Sequence, residues 1–177
     1  MSDDADSRGG DRRLLLTGGT GFVGVHAARH LLQKGHRLRC LVRPTSDRSR
    51  LPEGIELAEG QLLNFESLQR AAEGCREVVH LGGLTRAGNP RDFHLINRDG
   101  TANLVRAARE GGVERFILCS SQSAAGPSTP QRRRLDRDPP GPVSEYGRSK
   151  LEGEEALKTG AGEMWWCILR PPSCVMA

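Results

Sequence analysis

A glycine-rich run near the start of the chain, Thr17-Gly18-Gly19-Thr20-Gly21-Phe22-Val23-Gly24, limits what the rest can fold into. An apolar segment, Leu14–Thr17, precedes it. A stretch of helical periodicity, Phe22–Lys34, follows, with stripes through Val23, Ala27, Leu31 and Val25, Ala28, Leu32. Gly18, Gly21 and Gly24 are spaced Gly-x-x-Gly-x-x-Gly, a variant of the loop that seats a dinucleotide pyrophosphate. Such a loop must turn tightly and let a phosphate approach the backbone. It must also aim amide N–H groups from a helix N-terminus. Glycines alone cluster in ordinary turns; glycines between a strand and an amphipathic helix carry the stronger message.

Strand and helix patterns continue to alternate along the chain. Strands are expected at Leu14–Thr17, His36–Arg43, Ile55–Glu59, Val78–Leu81, Phe116–Cys119 and Trp166–Leu169. Helices are expected at Phe22–Lys34, Ser67–Ala72, Arg91–Glu110 and Tyr146–Leu157, several of them closed by glycine. In the second strand Leu38, Cys40 and Val42 alternate with Arg37, Arg39 and Arg43, which reads as one apolar and one polar face. A Pro-, Gly- and Arg-rich loop covers Gly126–Pro142. This alternation predicts an α/β fold, a doubly wound parallel sheet of six strands with helices on both faces. Residues 1–12 read as a charged, disordered lead-in and residues 13–177 as one domain.

Of 177 residues, 36% are hydrophobic and 27% charged, values that suit a globular chain. No run approaches the roughly 20 apolar residues of a membrane span, and the polar start does not resemble a signal peptide. A cytoplasmic protein without membrane partners is therefore expected. Cys40, Cys75, Cys119, Cys167 and Cys174 are odd in number and widely spaced, which reads as free thiols in a reducing compartment. The net charge of +4 names no partner. More telling is scarcity: among 26 basic residues only Lys34, Lys150 and Lys158 are lysines, and Tyr146 is the single tyrosine.

Two of these scarce residues, Tyr146 and Lys150, stand four apart, on one face of a helix. A phenol with a pKa near 10 is a poor base at neutral pH, and a nearby ammonium group favours its phenolate. Such a pair relays a proton at a carbinol while a cofactor takes or gives hydride. Ser121, after the fifth strand, lies at the same sheet edge and can orient the substrate oxygen. Arg43 closes the second strand, where an acidic residue would bind a ribose 2′-hydroxyl. Arginine there suits a 2′-phosphate, with Arg48 and Arg50 as helpers, so NADP(H) is expected ahead of NAD(H).

Taken together, the chain resembles an extended short-chain dehydrogenase/reductase of the NAD(P)-dependent epimerase/dehydratase family, with its Rossmann-type fold. The resemblance rests on Thr17–Gly24, Val79-His-Leu-Gly-Gly83, Asn97-Arg-Asp-Gly-Thr101, Ser120-Ser121, Tyr146-Gly-Arg-Ser-Lys150 and Leu169-Arg-Pro171. It implies a catalytic triad: Tyr146 as general acid/base, Lys150 as its modulator and a ligand of the nicotinamide ribose, and Ser121 as substrate orienter. It also implies cofactor contacts from Gly18, Gly21, Phe22, Val23, Gly24, Arg43, Gln61, Leu62, Leu81, Gly82, Gly83, Asn97 and Pro171. Gln61 stands where the family carries an aspartate that holds the adenine amino group, a change from a charged to a neutral acceptor expected to cost on the order of 1 kcal/mol. The family also continues beyond residue 177 into a seventh strand and a substrate region, absent here, so a C-terminally shortened chain is expected. The substrate would be a small molecule, a nucleotide sugar or a small carbonyl compound. Family members commonly dimerise through helices matching Arg91–Glu110 and Tyr146–Leu157.

Other readings carry less. A non-catalytic NADP(H)-binding module would have no need for Ser121, Tyr146 and Lys150 together. Gln122-Ser123 stands where dehydratases carry an acidic pair, which speaks against dehydration. Arg132-Arg133-Arg134 lies among Asp136, Asp138 and prolines without aromatic residues to stack bases, so no nucleic-acid partner is expected. His80 and His94 have no Cys or carboxylate at ligand spacing and read as structural, with no metal. Trp165-Trp166 reads as an anchor of the sixth strand in the core.

Overall fold

The computed structural model describes residues 13–135 and 137–172. The lead-in 1–12 and Cys174 lie outside these residues, as does Asp136. Six parallel strands form one sheet in the order β3-β2-β1-β4-β5-β6: β1 Arg13–Thr17, β2 Arg37–Val42, β3 Glu56–Glu59, β4 Cys75–His80, β5 Arg115–Cys119 and β6 Trp165–Leu169. The order reverses between β1 and β4, where Leu14–Thr17 pair in register with Glu77–His80. In sheets of this kind the crevice beyond the carboxyl ends of the two strands flanking that reversal receives ligands.

The helices are α1 (Phe22–Gln33), α2 (Phe65–Ala72), α3 (Pro90–Phe93), a π-helical segment (His94–Asp99), α4 (Gly100–Glu110), α5 (Gln122–Ala125) and α6 (Glu145–Gly160). The larger core gathers Leu15, Leu68, Val78, Leu104, Phe116 and Leu157, joining the sheet to α2, α4 and α6. A smaller one joins Leu14, Leu16 and Leu38 to Ala28 of α1. Of the two stripes expected on α1, the one through Val25 and Ala28 is buried, while Val23 is exposed. Three of the longer helices start or stop for a legible reason. Asn64 and Ser144 cap α2 and α6 through Ser67 N–H and Gly147 N–H, and Gly111 closes α4.

Three expectations need correction. The helix expected over Arg91–Glu110 is interrupted by the π turn at His94–Asp99. Between the expected fifth strand and the expected loop, Gln122–Ala125 form the short helix α5. Strand β2 has no solvated face: from Leu38 to Val42 every residue is buried, Arg39 among them. Arg39 is tolerated there because its Nε donates to Glu56 Oε1 (2.8 Å). Its Nη1 donates to the carbonyls of Ala71 (2.9 Å) and Glu73 (2.7 Å) at the end of α2. Trp165 and Trp166 are not core anchors; they are 57% and 38% exposed. Their strand is the last in the sheet, paired only with β5 among the described residues.

Candidate active site

The glycine loop leaves β1 at the reversal point and leads into α1. Gly18 has φ +72°, the left-handed region that glycine occupies without strain. A Cβ on it would come within 2.6 Å of Gly82 N and 2.7 Å of Leu81 C, so the loop lies directly on the backbone that follows β4. A Cβ on Gly24 would strike the Gly18 carbonyl. The turn closes through Gly21 N–H donating to Gly18 O (3.0 Å), and no side chain caps the first turn of α1. Here is a cradle that side chains would fill, beneath a helix N-terminus with uncapped amides. It fits a pyrophosphate. Cys40 lies under Gly19, and burial pushes its thiol up to about 11 against a backbone hydrogen bond from Gly19, which keeps it an inert neutral thiol.

Around the cradle, Phe22 and Val23 are exposed on the first turn of α1. Leu81 and Gly82 are half-buried and Gly83 exposed after β4; Gln61 is exposed and Leu62 half-buried after β3. Arg43 is exposed at the end of β2, with Arg50 exposed further on. Arg48, expected as its helper, is instead paired with Glu59 (3.1 Å).

Asn97 sits buried in the π segment. Its Oδ1 accepts the N–H of Leu84 (2.8 Å), and its Nδ2 donates to Leu84 O and Ser149 Oγ (both 3.0 Å). A Cβ on Gly83 would meet Asn97 Oδ1 at 2.9 Å and Lys150 Nζ at 3.7 Å. The loop after β4, the π segment and α6 therefore converge on one spot.

On α6, Tyr146 is half-buried with its ring edge-on to Phe93, centroids 5.8 Å apart. Lys150 is 7% exposed, and its Nζ donates to Cys119 O at the end of β5 (2.7 Å). Burial holds its ammonium below the usual lysine range, with Glu154 opposing that shift. Ser121 follows β5 directly. Its Oγ caps α5 by accepting from Ser123 N–H (3.1 Å), and it lines an open cavity of about 520 Å³ together with Ser128, Arg134, Val143, Ser144 and Arg170. Pro171 follows β6 at the same edge, and its carbonyl accepts from Gln122 N–H (3.1 Å).

Two groups escaped the sequence reading. Glu154 is fully buried and receives Ser120 Oγ (2.5 Å) together with Arg170 Nε (2.8 Å) and Nη2 (2.5 Å). It ties α6 to the ends of β5 and β6. Its only sequence signal was its place four residues after Lys150 and eight after Tyr146, on the same helix face. His94, read as without carboxylates, lies between Glu152 (Nδ1, 2.6 Å) and Glu145 (Nε2, 3.0 Å). These two glutamates come from α6, remote in sequence. Their hydrogen bonds, Glu152's first, raise the imidazole pKa.

The family model of NAD dependent epimerases/dehydratases matches residues 14–175. A ceramide reductase of Caulobacter vibrioides is 36% identical over 162 residues, covering 90% of this chain and 45% of the reductase. The structure is similar to the UDP-glucose 4-epimerase of Thermus thermophilus in complex with NAD, at TM-score 0.80 and 29% identity over 89% of this chain and 54% of that one. It is also similar to the Bordetella bronchiseptica enzyme WbmG in complex with NAD and UDP, at TM-score 0.78 and 27% identity over 91% of this chain and 53% of that one. The chain spans about half the length of the relatives it matches. Among the described residues no helix is long and apolar enough to cross a membrane.

Proposed function

Because this chain belongs to the NAD-dependent epimerase/dehydratase family, we propose that it seats a nicotinamide dinucleotide, NADP(H) ahead of NAD(H), and works at a carbinol or carbonyl carbon. The substrate is a nucleotide sugar or a small carbonyl compound. One observation carries this reading: the glycine cradle at Gly18–Gly24 and the Tyr146–Lys150 face of α6 meet at the loop after β4, where Gly83 lies close to Lys150. NAD in the Thermus epimerase and NAD with UDP in WbmG support a nicotinamide dinucleotide and the nucleotide-sugar end of the range, while the preference for NADP(H) rests on Arg43 alone. The ceramide reductase supports a carbonyl substrate.

The cradle amides and the α1 N-terminus hold the pyrophosphate, Arg43 the 2′-phosphate, and Gln61 and Leu62 the adenine side. Leu81, Gly82 and Gly83 would contact the cofactor and Pro171 would approach its nicotinamide, while Asn97, buried behind them, holds the loop after β4 in place through Leu84. The bound dinucleotide supplies or accepts the hydride. Ser121 and Tyr146 hold the substrate oxygen, and Tyr146 gives or takes its proton. The Lys150 ammonium favours the Tyr146 phenolate and holds the ribose.

Titration with NADPH and NADH, read by energy transfer from Trp165 and Trp166 with circular dichroism as the check on folding, tests the cofactor half. Saturable binding with NADPH tighter than NADH, and loss of that difference in Arg43→Glu, is the expected result. A folded chain that binds neither overturns it. Where turnover of a carbonyl substrate is found, Tyr146→Phe is expected to lower kcat by about 10²- to 10⁴-fold while the dinucleotide Kd holds within about threefold. A variant as active as the parent removes Tyr146 from the chemistry.

A further inference from the structure

We infer that His80 is a positioning residue, joining the cofactor-facing loop after β4 to the catalytic helix α6 through two directed runs of hydrogen bonds that meet at Asn97. This inference rests on the dinucleotide reading of the site. The direction of the first run follows from counting hydrogens. The Thr101 hydroxyl has one, given to Asn97 O at 2.7 Å. It therefore meets His80 Nε2, 3.1 Å away, as an acceptor, and Nε2 carries the ring hydrogen. A neutral ring then offers the Nδ1 lone pair, to which Thr17 Oγ1 donates at 2.6 Å. Thr17 Oγ1 in turn accepts the Gly82 N–H at 3.1 Å.

The first run ends at the Asn97 carbonyl, and a second starts from the side-chain amide of the same residue. Asn97 Nδ2 donates to Ser149 Oγ at 3.0 Å, and Ser149 Oγ donates to the Tyr146 carbonyl at 2.8 Å. Gly153 of α6 packs so closely on Asn97 O that a Cβ there would strike it. One end of the wiring thus lies at Gly82, against the glycine cradle, and the other at the backbone of Tyr146.

The surroundings hold the ring in this one state. His80 is 0% exposed, and its ring stands edge-on to Phe116 with centroids 6.1 Å apart. A second proton would have to sit on Nδ1, facing Thr17 Oγ1, and would reverse that hydroxyl. Burial and the nearby Lys150 ammonium both oppose it, holding the imidazole down at about 3. Thr101 stands in the first turn of α4, directly after the π segment, and its hydroxyl donates to the carbonyl four residues back, as threonine does within helices.

Two measurements test the assignment. In the ¹⁵N-labelled full chain, the His80 imidazole, identified by its loss in His80→Phe, is expected as the neutral Nε2–H tautomer, unchanged between about pH 5 and 8. An Nδ1–H ring, or one that titrates in that range, overturns the proposal. In the second, Thr101→Val is expected to weaken NADPH about tenfold, with Thr101→Ser restoring it to within about twofold, at a temperature where every variant is folded by circular dichroism. A Thr101→Val chain that melts lower but binds NADPH like the parent reduces His80 to a structural part and overturns the proposal. A parent chain that binds no dinucleotide while the His80 tautomer stays fixed overturns the reading of the site and supports the wiring.

Discussion

Gly18 shows how little freedom a single position here retains. Its φ of +72° and the 2.6 Å approach to Gly82 N leave no room for a methyl group. Gly18→Ala is expected to lower stability by roughly 1–3 kcal/mol and to abolish dinucleotide binding, as checked by urea unfolding beside the nucleotide titration. His80 gives a second prediction at this scale, with a definite sign. Its folded pKa of about 3 lies well below the ordinary imidazole value of about 6.5, so in acid the unfolded chain binds a proton that the folded chain refuses. Stability is therefore full above about pH 6.5 and falls as pH drops toward about 3, on the order of 1 kcal/mol per pH unit. Thermal melts from pH 7 to 4 should show that slope, and it should flatten in His80→Phe. A slope unchanged in that variant refutes the assignment to His80.

Elements depend on partners brought from far along the chain. Arg39 on β2 serves α2, satisfying carbonyls that a helix end leaves open, and Glu56 of β3 holds it there. Arg39→Met keeps the bulk but strands those carbonyls, and is expected to cost about 2–4 kcal/mol. A melting point unchanged from the parent would show that water serves α2 as well. The glycine loop, the Tyr146–Lys150 face and the strand–helix rhythm were legible in the sequence because each is a local demand on spacing. Arg39, Glu154 and His94 were not. Their roles come from Glu56, Arg170, Ser120, Glu145 and Glu152, which only the tertiary fold brings near. The π turn was hidden for a similar reason: Asn97 and Thr101 keep ordinary helical spacing, and the departure shows only in their hydrogen bonds.

For the whole molecule, strand order governs what a side chain meets. Trp165 and Trp166 carry every mark of a core pair until β6 is seen to be the last strand among the described residues, with more than half of Trp165 in solvent. Position in the sheet cannot be read from a strand's own residues. Both indoles should be open to an aqueous quencher such as acrylamide, and Trp165→Lys should leave unfolding free energy within about 0.5 kcal/mol of the parent. Blue-shifted, unquenched emission would contradict the edge position. The edge of β6 can pair with a neighbour, so sedimentation of the parent beside Trp165→Lys also asks whether self-association runs through β6 or through α4 and α6.

The contact between Gly18 and Gly82 has a consequence for the order of events during synthesis. The glycine turn leaves the ribosome ahead of the backbone it rests on, which follows more than sixty residues later. At about 5–20 residues per second, the nascent turn waits several seconds for its floor. Through that interval β1 lacks its partner on the β4 side, and no nucleotide can help it fold. A chain paused before β4 emerges would expose an apolar strand with an unfinished turn, a natural target for a chaperone.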